Sequence, residues 1–391
     1  MTAHAAQVPA RVLFLCFLRL GLTAFGGPAM VAFLRRVAVE QRGWLSPREF
    51  QDGVALCQSI PGATVMQLAA YIGLRVGGPL GSLAAFAAFA LPAFGLMLGL
   101  SVLYAQTRQV PAAGVVALGL RAMVVALMAA AALDFTKKTI KGWPDGLLAA
   151  SAGLLILAGG NPILAIAGAS LAGLALYRGG AAPEPDSPPL AEAQAAFPGG
   201  ALLVLGGLVL GWGALRLLDE RLADLALLMA KVDLFAMGGG LASVPLMYHE
   251  VVQARSWLPG PAFLDGIALG QVTPGPIVIT ATFIGYLLAG WAGVVVGTVA
   301  VFSPSLVILW LVYPRFQRLR RNPSFQRLLR GSLASFVGLL AAMALRFAWA
   351  LDWSWPTALL SLAALTALVL KVDILWVVTA GALVSLLASW L

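Results

Sequence analysis

Gln58-Ser59-Ile60-Pro61-Gly62 and Gln271-Val272-Thr273-Pro274-Gly275-Pro276 are two copies of one pattern, set 213 residues apart (275 − 62) in a chain of 391. At the same spacing Phe50, Asp52 and Gly53 recur as Phe263, Asp265 and Gly266, and Trp44 recurs as Trp257. After a slip of one residue, Gly73, Gly81, Pro92, Pro111, Trp143 and Pro144 meet Gly285, Gly293, Pro304, Pro323, Trp355 and Pro356. The chain is a duplication. Proline removes a backbone donor and pushes the residue before it out of the helical region, so a Pro-Gly pair inside an apolar segment breaks a helix there.

Hydrophobic residues make up 61% of the chain and charged ones 10%, with a mean hydropathy of +0.93; soluble domains carry about 25% charged residues. Recurrent apolar runs suit helices that cross a hydrocarbon core of about 30 Å, and the short alternating strands of a membrane barrel are not visible. The expected fold is an all-α polytopic, multi-pass protein of the cytoplasmic (inner) membrane, made of two homologous repeats whose helices are broken at the Pro-Gly motifs. The first repeat spans 11–177, with apolar segments near 12–34, 53–75, 79–106, 112–134, 145–158 and 162–177. The last two meet at Gly159-Gly160-Asn161-Pro162, which reads as a tight hairpin of short helices or as one broken pass. A linker at 178–199, carrying Pro183-Glu184-Pro185-Asp186, precedes an extra transmembrane segment at 200–218. The second repeat spans 222–390, with segments near 222–246, 263–288, 291–313, 326–350, 355–370 and 373–390.

An even number of spans followed by one extra inserts the second repeat upside down, and inverted repeats are the expectation. The loop with Arg315, Arg318, Arg320 and Arg321 answers to one with only Arg108, and Lys137, Lys138 and Lys141 answer to a loop near Asp352 without Lys or Arg. Opposite loading of equivalent loops is what opposite orientation produces. The loop with Arg35, Arg36, Arg42 and Arg48, set against Arg255, disagrees.

In a membrane the backbone groups freed at a break need a neighbour, water or a ligand. A half-helix beginning there presents N–H donors and the positive end of its dipole, which suits an anion. Gln58, Pro61, Gly62, Thr64, Gln67, Gln271, Thr273, Pro274, Gly275 and Thr280 are therefore the candidate substrate-binding residues around the two breaks. Gly26 and Gly27 in Phe25-Gly26-Gly27-Pro28, and Gly239 and Gly240 in Met237-Gly238-Gly239-Gly240, either pack helices closely or form walls of the same cavity. Arg19, Arg121, Lys231, Asp233 and Arg346 stand within apolar runs, where a charge is costly and faces a cavity or a partner. Arg121 lies deepest and is the candidate cation for an anion. Lys231 and Asp233 read as interfacial. Asp52 and Asp265 either cap a helix or pair with a basic residue; with His249 and Glu250 they are candidates for proton or charge coupling.

The net charge of +9 sits mostly in short loops, where topology explains it, so nucleic acid is not an expected partner. Cys16 and Cys57 are isolated. His249-Glu250-Val251-Val252-Gln253 lacks the second histidine of a zinc protease motif, and His4 is the only other histidine. Without a P-loop motif the chain is not expected to hydrolyse ATP. Neither an enzyme, a cofactor nor a metal site is expected.

At these residues the chain resembles the chromate ion transporter family, as a long-chain, two-domain member. The second repeat carries the resemblance best, in Gly238-Gly239-Gly240, Pro245, His249-Glu250-Val251-Val252, Trp257, Phe263-Leu264-Asp265-Gly266, Gly270-Gln271-Val272-Thr273-Pro274-Gly275-Pro276, Gly285-Tyr286 and Pro304-Ser305. The first repeat departs from the family pattern. Val31 stands where a His is usual, Val37 where a Glu is usual, and Ala63-Thr64 replaces Pro-Asn. The resemblance implies export of chromate from the bacterial cytoplasm and resistance to it, with the lipid bilayer and a chromate or sulfate-like oxyanion as partners. The open alternatives are a carrier of sulfate or another oxyanion, and an anion channel. Small-residue faces permit a homodimer.

Overall fold

The structure is a computed structural model and describes residues 8–23, 27–107, 109–178 and 198–388. Gly26 and most of the linker expected at 178–199 lie outside the described residues. Among the described residues there is no strand. The first repeat runs through α1 (Ala10–Thr23), α2 (Gly27–Arg35), a π-helical turn (Arg36–Gln41), α3 (Pro47–Ser59), α4 (Thr64–Thr107), α5 (Pro111–Thr139), α6 (Trp143–Leu157) and α7 (Pro162–Leu176). After α8 (Pro198–Leu218) come α9 (Glu220–Phe235), α10 (Ser243–Tyr248), a second π-helical turn (His249–Ala254), α11 (Gly260–Val272), α12 (Thr280–Val312), α13 (Phe316–Arg321), α14 (Pro323–Trp349), α15 (Trp355–Val369) and α16 (Ile374–Ala388). The duplication extends to backbone detail: Gly62 and Gly275 both hold φ at 119°, and Gly78 and Gly290 hold 65° and 56°.

The Pro-Gly links are tips of helical hairpins. Ser46 and Glu49 form a reciprocal cap with Pro47 at the first helical position, which starts α3 sharply. The Tyr71 hydroxyl donates to Glu49 O at 3.0 Å, Arg75 pairs with Glu49, and the Tyr71 ring occupies the space a Cβ on Gly53 would take. Residues late in the first arm of α4 thus meet residues early in α3, so the chain has reversed at Pro61-Gly62. In the second repeat the Phe283 ring fills the space beside Gly266, and Thr280 faces Gly270. The apolar segments 53–75 and 263–288 are therefore not single crossings. Their α3 and α11 arms have 13 residues each, about 20 Å of helix, which is short of a core of about 30 Å.

A second reversal follows at Gly78 and at Ala289-Gly290, where the backbone leaves helical geometry inside α4 and α12. The two arms close on glycines: a Cβ on Gly73 would lie 2.3 Å from Gly81 O, and one on Gly285 would lie 2.1 Å from Gly293 O. The long second arms then pack against each other. Trp310 Nε1 donates to Ser82 Oγ at 2.9 Å, and Phe86 meets Phe302 edge-on at 6.2 Å. Advancing from Ser82 to Phe86 on α4 means retreating from Trp310 to Phe302 on α12, so these equivalent arms run antiparallel.

The short segments expected at 145–158 and 162–177 are two helices, α6 and α7, of 15 residues each. They embrace α14 of the other repeat, with Gly338 against Ala149 O and Gly331 against Ala169 O. Asp145 receives Arg330 Nε and Nη2 at 2.9 Å and the Tyr177 hydroxyl at 2.6 Å. Likewise α15 and α16 embrace α5, where Gly119 faces Ser385 and Gly381 faces Met123. Each repeat lends its short hairpin to the long helix of the other. Among the described residues five helices are long and apolar enough to cross a membrane: Thr64–Thr107, Gly114–Thr139, Gly199–Leu218, Ile277–Arg315 and Pro323–Trp349. With only 6% of its apolar window buried in protein, α8 is left facing lipid. The chain is a multi-pass membrane protein.

Gly285→Ala is expected to lower the thermal midpoint in detergent by the equivalent of about 1–3 kcal/mol, because the methyl group meets backbone that cannot swing away. Gly95→Ala, where a Cβ meets nothing within 4 Å, is expected to leave the midpoint unchanged or raise it slightly. Parallel thermal melts of the two variants provide the comparison.

Candidate functional site

The two hairpin tips and the glycine-rich segment after α9 come together. The Gly62 N–H donates to Ala236 O at 3.0 Å, so the first tip is tied to the end of α9. Gly240 lies against the Ile277 side chain, just beyond the second tip, while Gly238 and Gly239 adopt φ values of 89° and 110°. Each tip also presses on the long arm of the opposite repeat. A Cβ on Gly62 would strike Ser305 Oγ at 2.1 Å, and one on Gly275 would meet Ala93 Cβ at 2.9 Å. Ser305 and Ala93 are equivalent positions, each following the proline inside its helix (Pro304 and Pro92).

The tips differ in polarity. At the first, the Ala63 N–H donates to Ser305 Oγ at 3.0 Å, and the Ser305 hydroxyl donates to Asp233 at 2.7 and 3.0 Å. Gln67 Nε2 donates to Pro61 O at 2.6 Å and to Ser305 O at 3.4 Å, leaving Gln67 Oε1 buried with no donor. At the second tip the hydroxyls serve their own helices: Thr273 donates to Gly270 O and Thr280 to Ile277 O. Gln271 lines a narrow apolar cavity with Leu120, Val124 and Ile374, and its amide nitrogen is buried without an acceptor. Gln58 is exposed and Thr64 half-buried.

Asp52 and Asp265, equivalent in the two repeats, each face an arginine of the other repeat. Asp265 takes Arg121 Nε and Nη2 at 2.7 and 2.8 Å, and the Tyr104 hydroxyl at 2.9 Å. Arg320 approaches Asp52 at 3.6 Å. The charge of Arg121 is thus matched, and an anion there has to displace a bidentate carboxylate. Arg346 donates to Ile156 O and Leu157 O, stabilising the last carbonyls of α6. His249 contacts Gln253 at 3.2 Å and Glu250 pairs with Arg255, so these two are engaged within their own turn. Asp233 corrects the interfacial reading, being wholly buried. Ser305, Tyr104 and Arg320 were not read as site residues from the sequence; the one available signal was a serine beside the proline of α12.

The family model described as Chromate transporter matches this chain twice, over residues 11–174 and 223–386. The chain belongs to the chromate transporter family. Over 387 residues it is 32% identical to the chromate transport protein of Cupriavidus metallidurans, covering 97% of this chain and 93% of that one. It is 40% identical over 366 residues to an uncharacterized transporter of Methanocaldococcus jannaschii, covering 94% and 91%. The probable chromate transport protein of Synechococcus elongatus is 31% identical over 83% of this chain and 81% of its own. No solved structure matches.

Removing one partner from a buried ion pair strands the other charge, at a cost of about 3–5 kcal/mol, whereas removing both is milder. Arg121→Gln and Asp265→Asn are each expected to destabilise the transporter, and the double variant by clearly less than their sum. Unfolding in micelles, run as a double-mutant cycle, measures the coupling.

Proposed function

We propose that this transporter exports chromate from the cytoplasm across the inner membrane, and so confers resistance to it, by alternating access of two inverted repeats. The observation that carries the reading is the pair of equivalent glycine tips, each seated on the long arm of the opposite repeat around the segment from Ala236 to Gly240. Two relatives are named for chromate transport, and the antiparallel course of the equivalent arms supports inversion of the repeats. A tetrahedral dianion suits the Gln271 amide, which is buried without an acceptor, together with the dipole of the helix that follows the tip. The first tip gains free N–H donors when it leaves Ser305 and Ala236. In the cycle the Arg121–Asp265 and Arg320–Asp52 pairs act as alternating latches between repeats, one tight and one loose in this conformation.

The membrane potential drives export. Moving one charge through about 100 mV is worth about 2.3 kcal/mol, so a dianion leaving a negative interior gains about twice that. Sulfate shares the size and charge of chromate and is the second reading for the same site.

The test is labelled chromate uptake into everted vesicles under an imposed potential, with sulfate as competitor. Potential-driven uptake is expected, lowered about tenfold or more by Gly275→Ala at unchanged protein level, the kinetic equivalent of ~1.4 kcal/mol. Tight insertion without chromate movement overturns the substrate, and currents far above carrier turnover overturn the carrier mechanism in favour of a channel.

A further inference from the structure

The carboxyl of Asp233 is 0% exposed and forms no ion pair among the described residues. The elements packed against α9 offer it no cation. From α12 no Asp, Glu, Lys, Arg or His is available, and Tyr286 is its only titratable group; α10 ends on Tyr248. On α8, Arg216 is engaged by Glu220 and Asp224. Lys231, on α9 itself, is two residues away, about 200° around the helix. In the first arm of α4, Arg75 is held by Glu49. What Asp233 has are neutral donors: the Ser305 hydroxyl, whose oxygen in turn accepts from the Ala63 N–H at the first tip, and the backbone N–H groups of Ser305 and Ala63.

The fold itself does not require this carboxyl. The duplication places Gly21 where the second repeat has Asp233, and Ala93 where it has Ser305; Gly21 packs against Pro92, next to Ala93, as Asp233 packs against Ser305. With those two apolar residues the second tip is built to the same backbone, down to φ 119° at its glycine. A buried carboxyl with only neutral donors at one of two otherwise equivalent tips is therefore a specialisation, since holding a full charge away from water and without a cation is costly.

We propose that Asp233 is a proton-binding site of the transport cycle, protonated while the first tip is seated on Ser305 and ionised once the tip opens to water. The inference deepens the transport reading above and rests on it for the coupling to anion movement. Uptake forms one O–H bond on a carboxylate oxygen with a proton given up by hydronium, release returns the proton to water, and no other bond changes. Gln67 Oε1, buried without a donor beside the same serine, is an open acceptor at the tip through which the proton enters and leaves. Opening the tip breaks the hydrogen bonds from the Ala63 and Gly62 N–H groups, so proton release and exposure of anion-binding donors are one motion.

Two measurements on the purified full chain test this. Infrared difference spectra between about pH 5 and about pH 9 read the carbonyl stretch of a protonated buried carboxyl without any substrate. A band lost in Asp233→Asn and shifted in Ser305→Ala is expected. In proteoliposomes containing a pH indicator dye, chromate addition is expected to move protons with the native chain. Asp233→Asn is expected to abolish that signal while still exchanging labelled for unlabelled chromate. The double variant Asp233→Gly with Ser305→Ala copies the pair that the other repeat already carries, Gly21 and Ala93, which guards against a folding failure, and is expected to lose the proton signal as Asp233→Asn does. An ionised Asp233 across the range, protein stability that depends on Na⁺ through this carboxylate, or undiminished proton movement in both variants overturns the proposal. A chain that shows the band but moves no chromate refutes the chromate reading and keeps the proton site.

Discussion

Helices too short to cross the membrane leave their ends where no water reaches, and the architecture is organised around satisfying those ends. The hydrocarbon core supplies no hydrogen bonds, so a tip such as Ile60 to Ala63 survives only if the rest of the chain provides partners. Here they come from a distance: Ala236 O for Gly62, Ser305 Oγ for Ala63, and the Gln67 side chain for Pro61 O. The end of α6 receives Arg346 in the same way. Because most of these partners belong to the opposite repeat, neither repeat is complete alone.

That dependence accounts for the interlocking. A repeat that turns back at Gly62 and again at Gly78 needs close backbone contact at the second turn, which the Gly73–Gly81 approach allows and a side chain would prevent. The turn aligns the long arm of α4 against that of α12, and their antiparallel contact places each arm under the other repeat's tip. The short hairpins then clasp the partner's long helix through Gly153, Gly331 and Gly338 on one side and Gly119 and Gly381 on the other. Small residues are the natural material for such seams, since in lipid close packing replaces the hydrophobic drive.

The duplication, the helical membrane class and the importance of the Pro-Gly positions were legible in the sequence, because each leaves a local mark: a repeated string, an apolar run, a backbone breaker. The hairpin geometry was not. Two short apolar helices joined by Pro-Gly have the same hydropathy as one interrupted crossing, and it takes contacts such as Gly53–Tyr71, Tyr71–Glu49 and Gly266–Phe283 to reveal the reversal. Arg121 read as a free cation because its partner, Asp265, lies 144 residues away. Asp233 read as interfacial because position along an apolar run estimates depth along a straight helix, and α9 ends inside the protein beside Ser305.

The first repeat's departures from the family pattern take on a different meaning in this arrangement. Val31 and Val37 remove titratable groups from the first repeat, which by sequence alone leaves one half of the transporter without polar machinery. Yet the polar residues at the first tip are contributed crosswise: Asp233 and Ser305 both belong to the second repeat, and only Gln67 is local. The second tip, flanked by the more typical sequence, meets Ala93. Polarity at a tip is therefore set by the opposite repeat, and a loss of polar residues in one half lightens the site that serves the other. Asymmetry between the halves then gives one symmetric frame two different tips, with a buried carboxyl beside the first and the unpartnered Gln271 amide beside the second.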